Sequence, residues 1–397
     1  MAYDVIVVGA RCAGSPLAML LARRGHRVLL LDRARFPSDT VSTHYIHQPG
    51  VARMAAWGLL DRLRATGAPP ITATLWDIQG VSFIGTPPGV GDIIEGYAPR
   101  RTVLDVILVE GAAEAGAEVR ESFTVKELIH EGDRVIGIRG RQAGGSMVEE
   151  RATIVVGADG LRSTVARLVG AGTYNERPPR THNYYSYWSG LKVERLELYG
   201  RVGQGSAAIP TNEDLVLVGV SWAVWDTPTL AGNLEARYLE GLNGIPELGE
   251  RVLAGTREER IAGMATIPNF FRAATGAGWA LVGDAGYHKD PIAAQGISDA
   301  FRDADLLADA LDDGLGGGRP LGEALTSFAE ERDREAMPWY RWTQQLAKLE
   351  ELGPPARALL EGIAGDRMLA NRYCGVTAET VLPDELFGPT SPSKPGG

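Results

Sequence analysis

Cysteine and lysine are both scarce in this sequence of 397 residues. The two cysteines, Cys12 and Cys374, lie near opposite ends of the chain and predict neither a disulfide framework nor a cysteine-based metal site. Lysine supplies 5 of the 40 basic residues, and arginine supplies the other 35. No spacing of cysteines or carboxylates around the histidines is typical of a metal centre, so we expect no bound metal.

Long apolar runs and an excess of positive charge are also missing. No apolar run reaches the roughly 18 residues of a membrane-spanning helix. No basic segment precedes the first predicted strand at Tyr3–Val8, so we expect no signal peptide. The formal net charge of -10 disfavours a nucleic-acid partner. We therefore expect a soluble cytoplasmic protein, of the size of an enzyme, that binds neither membranes nor nucleic acid. Whether it is a monomer or a homodimer stays open.

What is present first is a strand, a glycine turn, a helix and a second strand between Val5 and Arg33. Gly9 and Gly14 occupy the first and third glycine positions of a dinucleotide-binding turn, but the middle position holds Arg11. Helix amides after such a turn can hold a phosphate, and Asp32 ends the second strand where a carboxylate binds ribose. Two interpretations stay open: a nucleotide site with Arg11 reaching a phosphate from outside the turn, or a structural turn without a ligand.

The rest of the chain predicts further buried strands, helices and one antiparallel sheet. Residues 71–99 and about 175–270 are typical of short strands and an antiparallel sheet. The predicted helices and strands outside them are helix Pro49–Leu63, helix and strand Arg100–Val119, a hairpin around Gly132–Asp133, strand Ala152–Gly160, strand Gly278–Gly286, and helices Ile297–Leu311 and Leu321–Leu352.

Two later segments decide between the two interpretations of the first turn. "VVGADGLRSTVARLVGA" (Val155–Ala171) and "WALVGDAGYHKDPIAAQGISDAFRDADLL" (Trp279–Leu307) both follow predicted buried strands. In this order the three segments resemble the motifs of the FAD-dependent monooxygenase superfamily that has the para-hydroxybenzoate hydroxylase fold. Flavin halogenases and geranylgeranyl-reductase-like flavoproteins share that fold. The resemblance spans most of residues 3–310 and implies non-covalent FAD.

The fold implied by the resemblance is α/β, with a Rossmann-like FAD-binding domain built on a mainly parallel sheet. An antiparallel-sheet substrate domain interrupts it, and helices follow at the C-terminal side. The expected division is an FAD-binding domain of 1–70, 100–174 and 271–320, a substrate domain of 71–99 and 175–270, a helical segment 321–386, and a disordered tail 387–397.

The resemblance also assigns cofactor-binding residues. Gly283–Asp284 is similar to the pair whose carboxylate contacts the ribityl chain, and the amides of residues 294–296 would face the N1–C2=O edge of the flavin, where a helix N-terminus stabilises negative charge. Ala294 and Ser298 depart from the usual glycine and asparagine. Either Arg100 or Arg101 would reach FAD, the other being solvated. The full expected set is Gly9, Arg11, Cys12, Ala13, Gly14, Asp32, Arg33, Arg100, Arg101, Val125, Asp159, Gly160, Gly283, Asp284, Pro291, Ala294, Gln295, Gly296 and Ile297.

The activity implied by the resemblance is hydroxylation of a small aromatic or polycyclic metabolite in secondary metabolism. NADH or NADPH would reduce the flavin, and O2 would react through a C4a-hydroperoxyflavin. His288, His44 and His47 are the candidate catalytic residues, with His288 preferred, although each histidine can instead be structural. Aromatic residues of the predicted sheet either fill the core or line a substrate pocket: Tyr184, Tyr185, Tyr187, Trp188, Trp222 and Trp225.

Three other functions remain open on this scaffold. A geranylgeranyl-reductase-type enzyme would saturate isoprenoid double bonds, and a cyclase would retain FAD without redox turnover. A halogenase is disfavoured because its Trp-x-Trp-x-Ile-Pro motif is absent, with Trp222 and Trp225 spaced differently.

Overall fold

The computed structural model describes residues 2–227 and 232–388. Its strands are β1 Tyr3–Val8, β2 Val28–Leu31, β3 Thr74–Ile78, β4 Val81–Gly85, β5 Glu118–Arg120, β6 Phe123–Glu131, β7 Arg134–Gln142, β8 Val148–Gly157, β9 Thr173–Arg177, β10 Thr181–Ser189, β11 Leu196–Arg201, β12 Gln204–Pro210, β13 Val216–Ala223, β14 Thr256–Arg257, β15 Ala262–Met264, β16 Asn269–Arg272, β17 Thr275–Gly276, β18 Trp279–Leu281 and β19 Tyr287–His288. Its helices are α1 Gly14–Arg23, α2 Gln48–Ala56, α3 Leu60–Arg64, α4 Arg101–Glu114, α5 Thr164–Leu168, α6 Leu234–Asn243, α7 Pro246–Leu253, α8 Gly296–Leu315, α9 Leu321–Leu346, α10 Pro354–Gly365, α11 Arg367–Thr377 and α12 Pro383–Phe387.

The first sheet has the strand order β17-β18-β8-β1-β2-β5, and the β6–β7 hairpin extends it from β8. Strand β1 lies parallel to both β2 and β8, and its residues 5–8 are buried. A continuous apolar run is what a parallel strand covered on both faces requires. Helices α1, α4 and α8 cover one face, and the hairpin and α5 cover the other.

The second sheet has the order β14-β10-β13-β12-β11-β3-β4, and β15 also pairs with β10. Its strands are antiparallel except for β11 and β3. One face packs against α6 and α7. The other face, here called the inner face, carries Tyr185 and Tyr187. It packs against Ala294, which lies just before α8, and against the helices α10 and α11.

A small third sheet, β19-β16-β9, lies between these units. Phe271 and Tyr287 from two of its strands pack against Ala336 and Tyr340 of α9. The segment that leads from Asp284 to α8 is therefore supported from behind by the long helix.

The predicted α/β fold class, with a parallel and an antiparallel sheet, is confirmed. A single helix over Pro49–Leu63 is wrong, because the chain turns at Gly58 with φ +72° and divides it into α2 and α3. The strand predicted over Gly278–Gly286 is likewise shorter: it ends at Leu281, and a 3₁₀ turn over Gly283–Ala285 follows.

The last predicted helix and the predicted tail also differ from the structure. Helix α9 ends at Leu346 and not at Leu352. Phe387, the first residue of the predicted tail, ends α12 and packs edge-on against Tyr373, with ring centroids 5.9 Å apart. Residues 389–397 of that tail lie outside the described residues. Helices α6 and α7 were not predicted at all.

Within residues 2–227 and 232–388, none of the helices combines the length and apolar character needed to cross a bilayer. The same residues contain no cluster of histidine, cysteine and carboxylate side chains arranged for a metal ion. Both Cys12 and Cys374 are buried free thiols.

Candidate functional site

The glycine turn after β1 brings three chain segments into close contact. A Cβ atom on Gly9, whose φ is +108°, would lie 2.3 Å from the Ala158 carbonyl oxygen. A Cβ on Gly14 would lie 1.8 Å from the Gly9 carbonyl oxygen. Both positions therefore require glycine. The amide of Ser15 donates to the Arg11 carbonyl as the first helical bond, which leaves the preceding amides at the helix N-terminus directed out of α1.

Asp32 closes this turn from the end of β2. One carboxylate oxygen accepts a hydrogen bond of 2.7 Å from the Ala10 amide and the other accepts one of 2.7 Å from the Ala34 amide. Each oxygen keeps a further lone pair for a ligand hydroxyl. The neighbouring Arg33 is exposed. Val125 lies on β6, which starts beside this strand, since the Phe123 amide donates to the Asp32 carbonyl.

Asp105 on α4 connects the residues of the turn with Arg101, and the sequence analysis did not identify it. Its fully buried carboxylate pairs with Arg11 and accepts bonds of 2.9 and 3.0 Å from Arg101. The Cys12 thiol lies 3.7 Å from the same carboxylate. Burial raises the pKa of Cys12 to about 12, so the thiol is neutral and does not act as a nucleophile. Arg11 is thus held by protein groups, including the Ser38 carbonyl at 3.1 Å.

Arg100 and Arg101 point into different surroundings, and neither is solvated as one of them was expected to be. Arg101 is buried against Asp105, and its charge also acts on the Asp284 carboxyl. Arg100 pairs with Glu259 at 2.6 Å and lies over the Tyr187 ring at 4.3 Å. Consecutive residues at the start of α4 point to opposite sides, so one arginine faces the first sheet and the other the inner face of the second.

Asp159 stabilises the start of helix α5. Its carboxylate accepts hydrogen bonds from the Ser163 hydroxyl at 2.5 Å and the Thr164 amide at 2.6 Å, and so caps α5. Gly160 follows with φ +77°. Arg167 on α5 is exposed. These contacts give Asp159 a structural role in the turn before α5.

Asp284 and Gly296 mark an opening between β18 and α8. Both residues are exposed, although nearly every residue from Leu281 to Ile297 is buried or half-buried. Surrounding protein nevertheless desolvates the Asp284 carboxyl and raises its pKa. A Cβ on Gly296 would meet nothing within 4 Å. A side chain that is both accessible and desolvated opens into a deep cleft and not onto the outer surface.

The loop 291–296 at this cleft has several fixed contacts. Ala294 adopts φ +54°, a backbone conformation that glycine, the usual residue there, takes without strain. The Gln295 side chain donates to the Thr377 carbonyl at 2.9 Å, and its own buried oxygen has no partner among the described residues. Pro291 is half-buried, whereas Ile297 packs into the core with the first turn of α8.

Two of the three candidate histidines are held neutral by burial. Burial lowers the pKa of His44 to about 3 and that of His47 to about 4. His47 contacts the loop through the Ala293 carbonyl at 3.1 Å. His44 has φ +61°, contacts the Tyr187 hydroxyl through Nε2, and leaves Nδ1 without a partner among the described residues.

His288, the preferred candidate, occupies β19 of the third sheet. Its Nδ1 hydrogen bonds to the Pro268 carbonyl at 2.9 Å, and its ring lies 6.4 Å from that of Phe270. A positive charge on this ring would lower the pKa of Asp284, against the rise caused by burial. The three histidines therefore surround the cleft from different elements and do not form one cluster.

Beneath the loop is a buried cluster of charged residues that sequence reasoning missed. Lys289 lies 2.9 Å from Asp299 and 3.3 Å from Glu379, and Arg302 lies 2.8 Å from both Asp299 and Asp303. Burial raises the pKa of Glu379 to about 7. Burial opposes ionisation of Asp299 as well, but Lys289 and Arg302 lower its pKa to about 2. The signal available in the sequence was Lys289, one of five lysines in the chain, within the third motif.

Only two of the aromatic candidates lie on the inner face of the second sheet. Tyr185 and Tyr187 do so, and the Tyr185 hydroxyl accepts a bond of 3.3 Å from the Ser42 amide. Tyr184, Trp188 and Trp222 pack on the opposite face with α6 and α7. Trp225 is exposed and donates to the Lys348 carbonyl at 2.7 Å.

The donor set of the cleft fits a flavin dinucleotide. The helix N-terminus after Gly9 suits a pyrophosphate, Asp32 suits ribose hydroxyls, and Asp284 suits a polyol chain. The open space above Gly296 and the unpartnered Gln295 oxygen lie where a ring system with hydrogen-bonding edges would be held. None of these observations requires a metal.

Comparisons with known proteins agree with this geometry. Residues 2–216 match the family model described as FAD binding domain. Over 344 residues the chain is 30% identical to a digeranylgeranylglycerophospholipid reductase of Methanosarcina acetivorans, covering 84% of this chain and 81% of that protein.

Two solved structures are similar over nearly the whole chain. Flavin-dependent brominase Bmp2 has a TM-score of 0.84 at 18% identity and covers 97% of this chain and 95% of its own. PqsL, a probable FAD-dependent monooxygenase from Pseudomonas aeruginosa, has a TM-score of 0.70 at 23% identity, with 93% and 98% covered. At these identities the likeness shows the fold and leaves the reaction open.

Proposed function

Since this chain belongs to the FAD binding domain family and is an FAD-dependent oxidoreductase, we propose that it is an NAD(P)H-driven monooxygenase. Its substrate would be a small aromatic or polycyclic metabolite that it hydroxylates. The family supports the cofactor, while the reaction rests on the geometry opposite the loop 291–296.

The residues that would hold FAD follow from the cleft. The turn Gly9–Gly14 with the first amides of α1 would bind the pyrophosphate, Asp32 the ribose, and Asp284 the ribityl chain. The amides of Gln295 and Gly296 would stabilise negative charge at the pyrimidine edge through the N-terminus of α8. When bound, FAD supplies the redox chemistry, accepting a hydride and passing electrons onward.

The observation that carries the proposal is a recess on the inner face of the second sheet. We define this recess by Ala207, Gly219 and Ser221, which are half-buried although they belong to the two central strands β12 and β13. A central strand remains accessible only where the elements packed against it leave space. Ile292 of the loop lies beside it, because a Cβ on Gly205 in β12 would be 3.8 Å from the Ile292 side chain.

The groups around the recess favour a compact substrate with ring and polar character. Tyr185 borders Gly219, and His44 stacks on Tyr187 with ring centroids 5.8 Å apart. A neutral His44 can exchange hydrogen bonds with a substrate hydroxyl without introducing charge. Leu346 at the end of α9 and Leu349 in the following loop border the inner face beside the recess, since a Cβ on Gly205 would be 3.6 Å from the Leu349 side chain.

Rapid mixing of the reduced protein with oxygenated buffer tests this function. The reduced, anaerobic protein is mixed with oxygen while the flavin absorbance is followed, with and without a candidate substrate. A transient spectrum unlike both oxidised and reduced flavin, together with a hydroxylated product, is expected. Direct reoxidation without such a phase, with or without substrate, would contradict oxygen activation for hydroxylation.

A flavin-dependent reductase of isoprenoid double bonds is the second candidate, supported by the 30% identity to the phospholipid reductase. Such an enzyme would saturate a polyprenyl substrate under anaerobic conditions, which a monooxygenase would not do. The polar groups around the recess favour the monooxygenase over this reductase. Chloride or bromide dependence of product formation would indicate a halogenase, and failure of NAD(P)H to reduce the flavin would favour a redox-neutral cyclase.

A further inference from the structure

We infer that this recess selects a neutral substrate carrying a hydroxyl or N–H donor, with Ser221 as the acceptor and Gly219 as the residue that sets the width. The inference rests on the proposed function, because it assigns the substrate class of the same site. It adds two specificity-determining residues that lie outside the cofactor motifs.

A chain of hydrogen bonds connects the recess with the loop 291–296. The Ser221 hydroxyl donates to the Asn183 side-chain oxygen at 2.6 Å, and the Asn183 amide donates to the Thr181 hydroxyl at 2.7 Å. The Thr181 hydroxyl lies 2.7 Å from one oxygen of Asp290 and 2.9 Å from the other. Asp290 also accepts from the Ile292 amide at 3.1 Å. Residues 181 and 183 lie on the inner face, four and two positions before Tyr185 in β10.

The orientation of the Asn183 amide gives the direction of every bond in the chain. Its NH2 group faces Thr181 and its oxygen faces Ser221, so Ser221 gives its proton to Asn183, and Thr181 accepts from Asn183 and gives its own proton to Asp290. Burial raises the pKa of Asp290, whereas the bonds from Thr181 and Ile292 favour its charged form. Ser221 thus ends the chain with free lone pairs.

A free lone pair in the recess selects a hydrogen-bond donor. Because each bond is polarised toward Asp290, the acceptor strength of Ser221 is increased by the chain behind it. An amide side chain in the middle does not relay protons, so Ser221 positions the substrate and does not remove its proton. Ser221 is a positioning residue in this sense.

The inner face around Ser221 is unusually short of side chains. A Cβ on Gly219 would come no closer than 3.9 Å to any neighbouring atom, and the first of these is in Leu217 of the same strand. Gly205 and Ala207 lie opposite Ser221 and Gly219 in β12. A flat ring can therefore lie against the sheet at this point, and a branched residue at 219 would occupy the same volume.

The uncharged character of the recess follows from its lining and its neighbours. Asn183, Ser221 and Tyr185 carry no charge at neutral pH. The arginine beyond Tyr187 is already paired, since Arg100 contacts both Glu259 and Asp39. An anionic substrate would meet no unpaired cation among these groups, whereas a phenol or amide would be accommodated.

A matched pair of probes tests the inference on the holoenzyme. 2-Naphthol and 2-methoxynaphthalene share one ring system and differ in the donor proton. Their dissociation constants are measured from the change in flavin absorbance. We expect the naphthol to bind about 10-fold more tightly in the wild-type protein, equivalent to about 1.4 kcal/mol. Ser221→Ala should reduce the ratio to within about 2-fold, while Ser221→Thr, which keeps the hydroxyl, should retain it.

Two further variants separate position from general damage. Ser206→Ala alters the same residue type in β12 but on the opposite face, so the ratio should not change. Gly219→Val should weaken both probes by at least about 10-fold. Equal binding of the two probes by the wild-type protein overturns the inference, and so does a ratio that Ser221→Ala preserves or binding of neither probe.

The same preparations separate this inference from the proposed function. FAD content and reduction by NAD(P)H are measured before the probes are added. A protein that is reduced but does not distinguish the probes overturns the assignment of Ser221 and leaves the oxidoreductase function. A protein that distinguishes the probes but is never reduced supports the recess and contradicts NAD(P)H-driven monooxygenation.

Discussion

At the scale of single residues, the two glycines of the first turn are fixed by contact distances and not by conformational preference alone. Gly14 has an ordinary helical backbone, yet a Cβ there would overlap the Gly9 carbonyl oxygen. The turn therefore tolerates Arg11 at its middle position, where the side chain leaves the turn toward Asp105 and Ser38, but not a side chain at 14.

Gly14→Ala should reduce the free energy of unfolding by about 1–3 kcal/mol, because the added methyl must displace backbone atoms. It should also abolish retention of FAD during purification. Chemical denaturation and flavin absorbance per protein measure the two effects. Gly362→Ala in α10 is the matched control, since a Cβ there meets nothing within 4 Å and alanine favours the helix by about 0.5–1 kcal/mol. Equal effects of the two substitutions would refute this account of the turn.

The neutral histidines predict a pH dependence of stability. The pKa values of His44 and His47 fall from the ordinary 6.5 to about 3 and about 4 on folding. At a pH between the pKa of a histidine in the folded protein and its pKa in the unfolded chain, the unfolded chain binds more protons than the folded protein. The free energy of unfolding therefore decreases as the pH falls below 6.5. Each histidine contributes a slope of about 1.4 kcal/mol per pH unit. Glu379, whose pKa is raised to about 7 by burial, acts in the opposite direction between pH 4.5 and 7.

A comparison of variants isolates the histidine contribution. Denaturation of the wild-type protein and of His47→Gln is measured from pH 6.5 to 4.5, and the variant should lose stability less steeply. His130→Gln alters an exposed histidine of β6 and should follow the wild-type slope. Parallel curves for wild type and His47→Gln would show that His47 is not held neutral by the fold.

At the scale of elements, the end of α11 and the residues after it contact the segment 289–295 at two points. Lys289 pairs with Glu379, and Gln295 donates to the Thr377 carbonyl. Breaking a buried pair leaves an uncompensated charge, so Lys289→Met should reduce the free energy of unfolding by about 3–5 kcal/mol.

The double variant Lys289→Met with Glu379→Gln should recover part of that loss, because it removes one of the two carboxylates left without Lys289. Denaturant titrations of all variants measure the effect. Lys192→Met provides the control, since its pair with Glu194 is exposed and worth less than about 1 kcal/mol. A loss for Lys289→Met no larger than that for Lys192→Met would contradict a stabilising role for the cluster.

Helices and strands whose apolar residues recur at a regular spacing were predicted from the sequence. Features that depend on tertiary contacts were not. β1, α1 and β2 agree with their apolar pattern to within one or two residues. The break at Gly58 was missed because the apolar spacing continues across it. α6 and α7 were missed because they lie within a segment whose aromatic and β-branched residues favour strands. The local pattern of apolar residues thus located the helices and strands, whereas the points where a predicted helix is interrupted depend on tertiary packing.

The candidate site shows the same division. The Ala10 amide after Gly9 contacts Asp32, and Gly283 lies beside the same turn, since a Cβ there would be 2.9 Å from Ala13, while the roles of these residues in binding FAD stay predictions. Asp105, Glu379 and the chain from Ser221 to Asp290 belong to no motif, since they meet only through the packing of separate elements. No local pattern could have associated residues of β10 and β13 with an aspartate that precedes α8.

At the scale of the whole molecule, binding of FAD should be coupled to stability across all the segments that form the cleft. Strands β1 and β2, helix α4 and the loop before α8 each contribute residues to it. A ligand that binds only the folded state stabilises it by RT ln(1 + [L]/Kd), about 2.7 kcal/mol at a hundredfold excess over Kd.

Thermal denaturation of the apoprotein should therefore shift upward with FAD concentration. ADP, which retains the ribose and pyrophosphate groups, should stabilise it less and compete with FAD, and riboflavin should have a smaller effect still. Scanning fluorimetry over a concentration series measures each shift. Equal shifts for riboflavin and FAD would contradict a site anchored by the turn at Gly9 and by Asp32.

The contacts of Thr377 and Glu379 have a consequence for the order of events at the ribosome. Residues 289–296 are synthesised long before residues 377–379, yet Lys289 depends on Glu379 for a buried ion pair and Gln295 depends on Thr377 for a side-chain hydrogen bond. Domains generally fold from the N-terminal side as the chain emerges. Here the nascent chain can build both sheets while this segment still lacks its last two supports. Loading of the cofactor into a finished site is thus deferred until translation has passed α11.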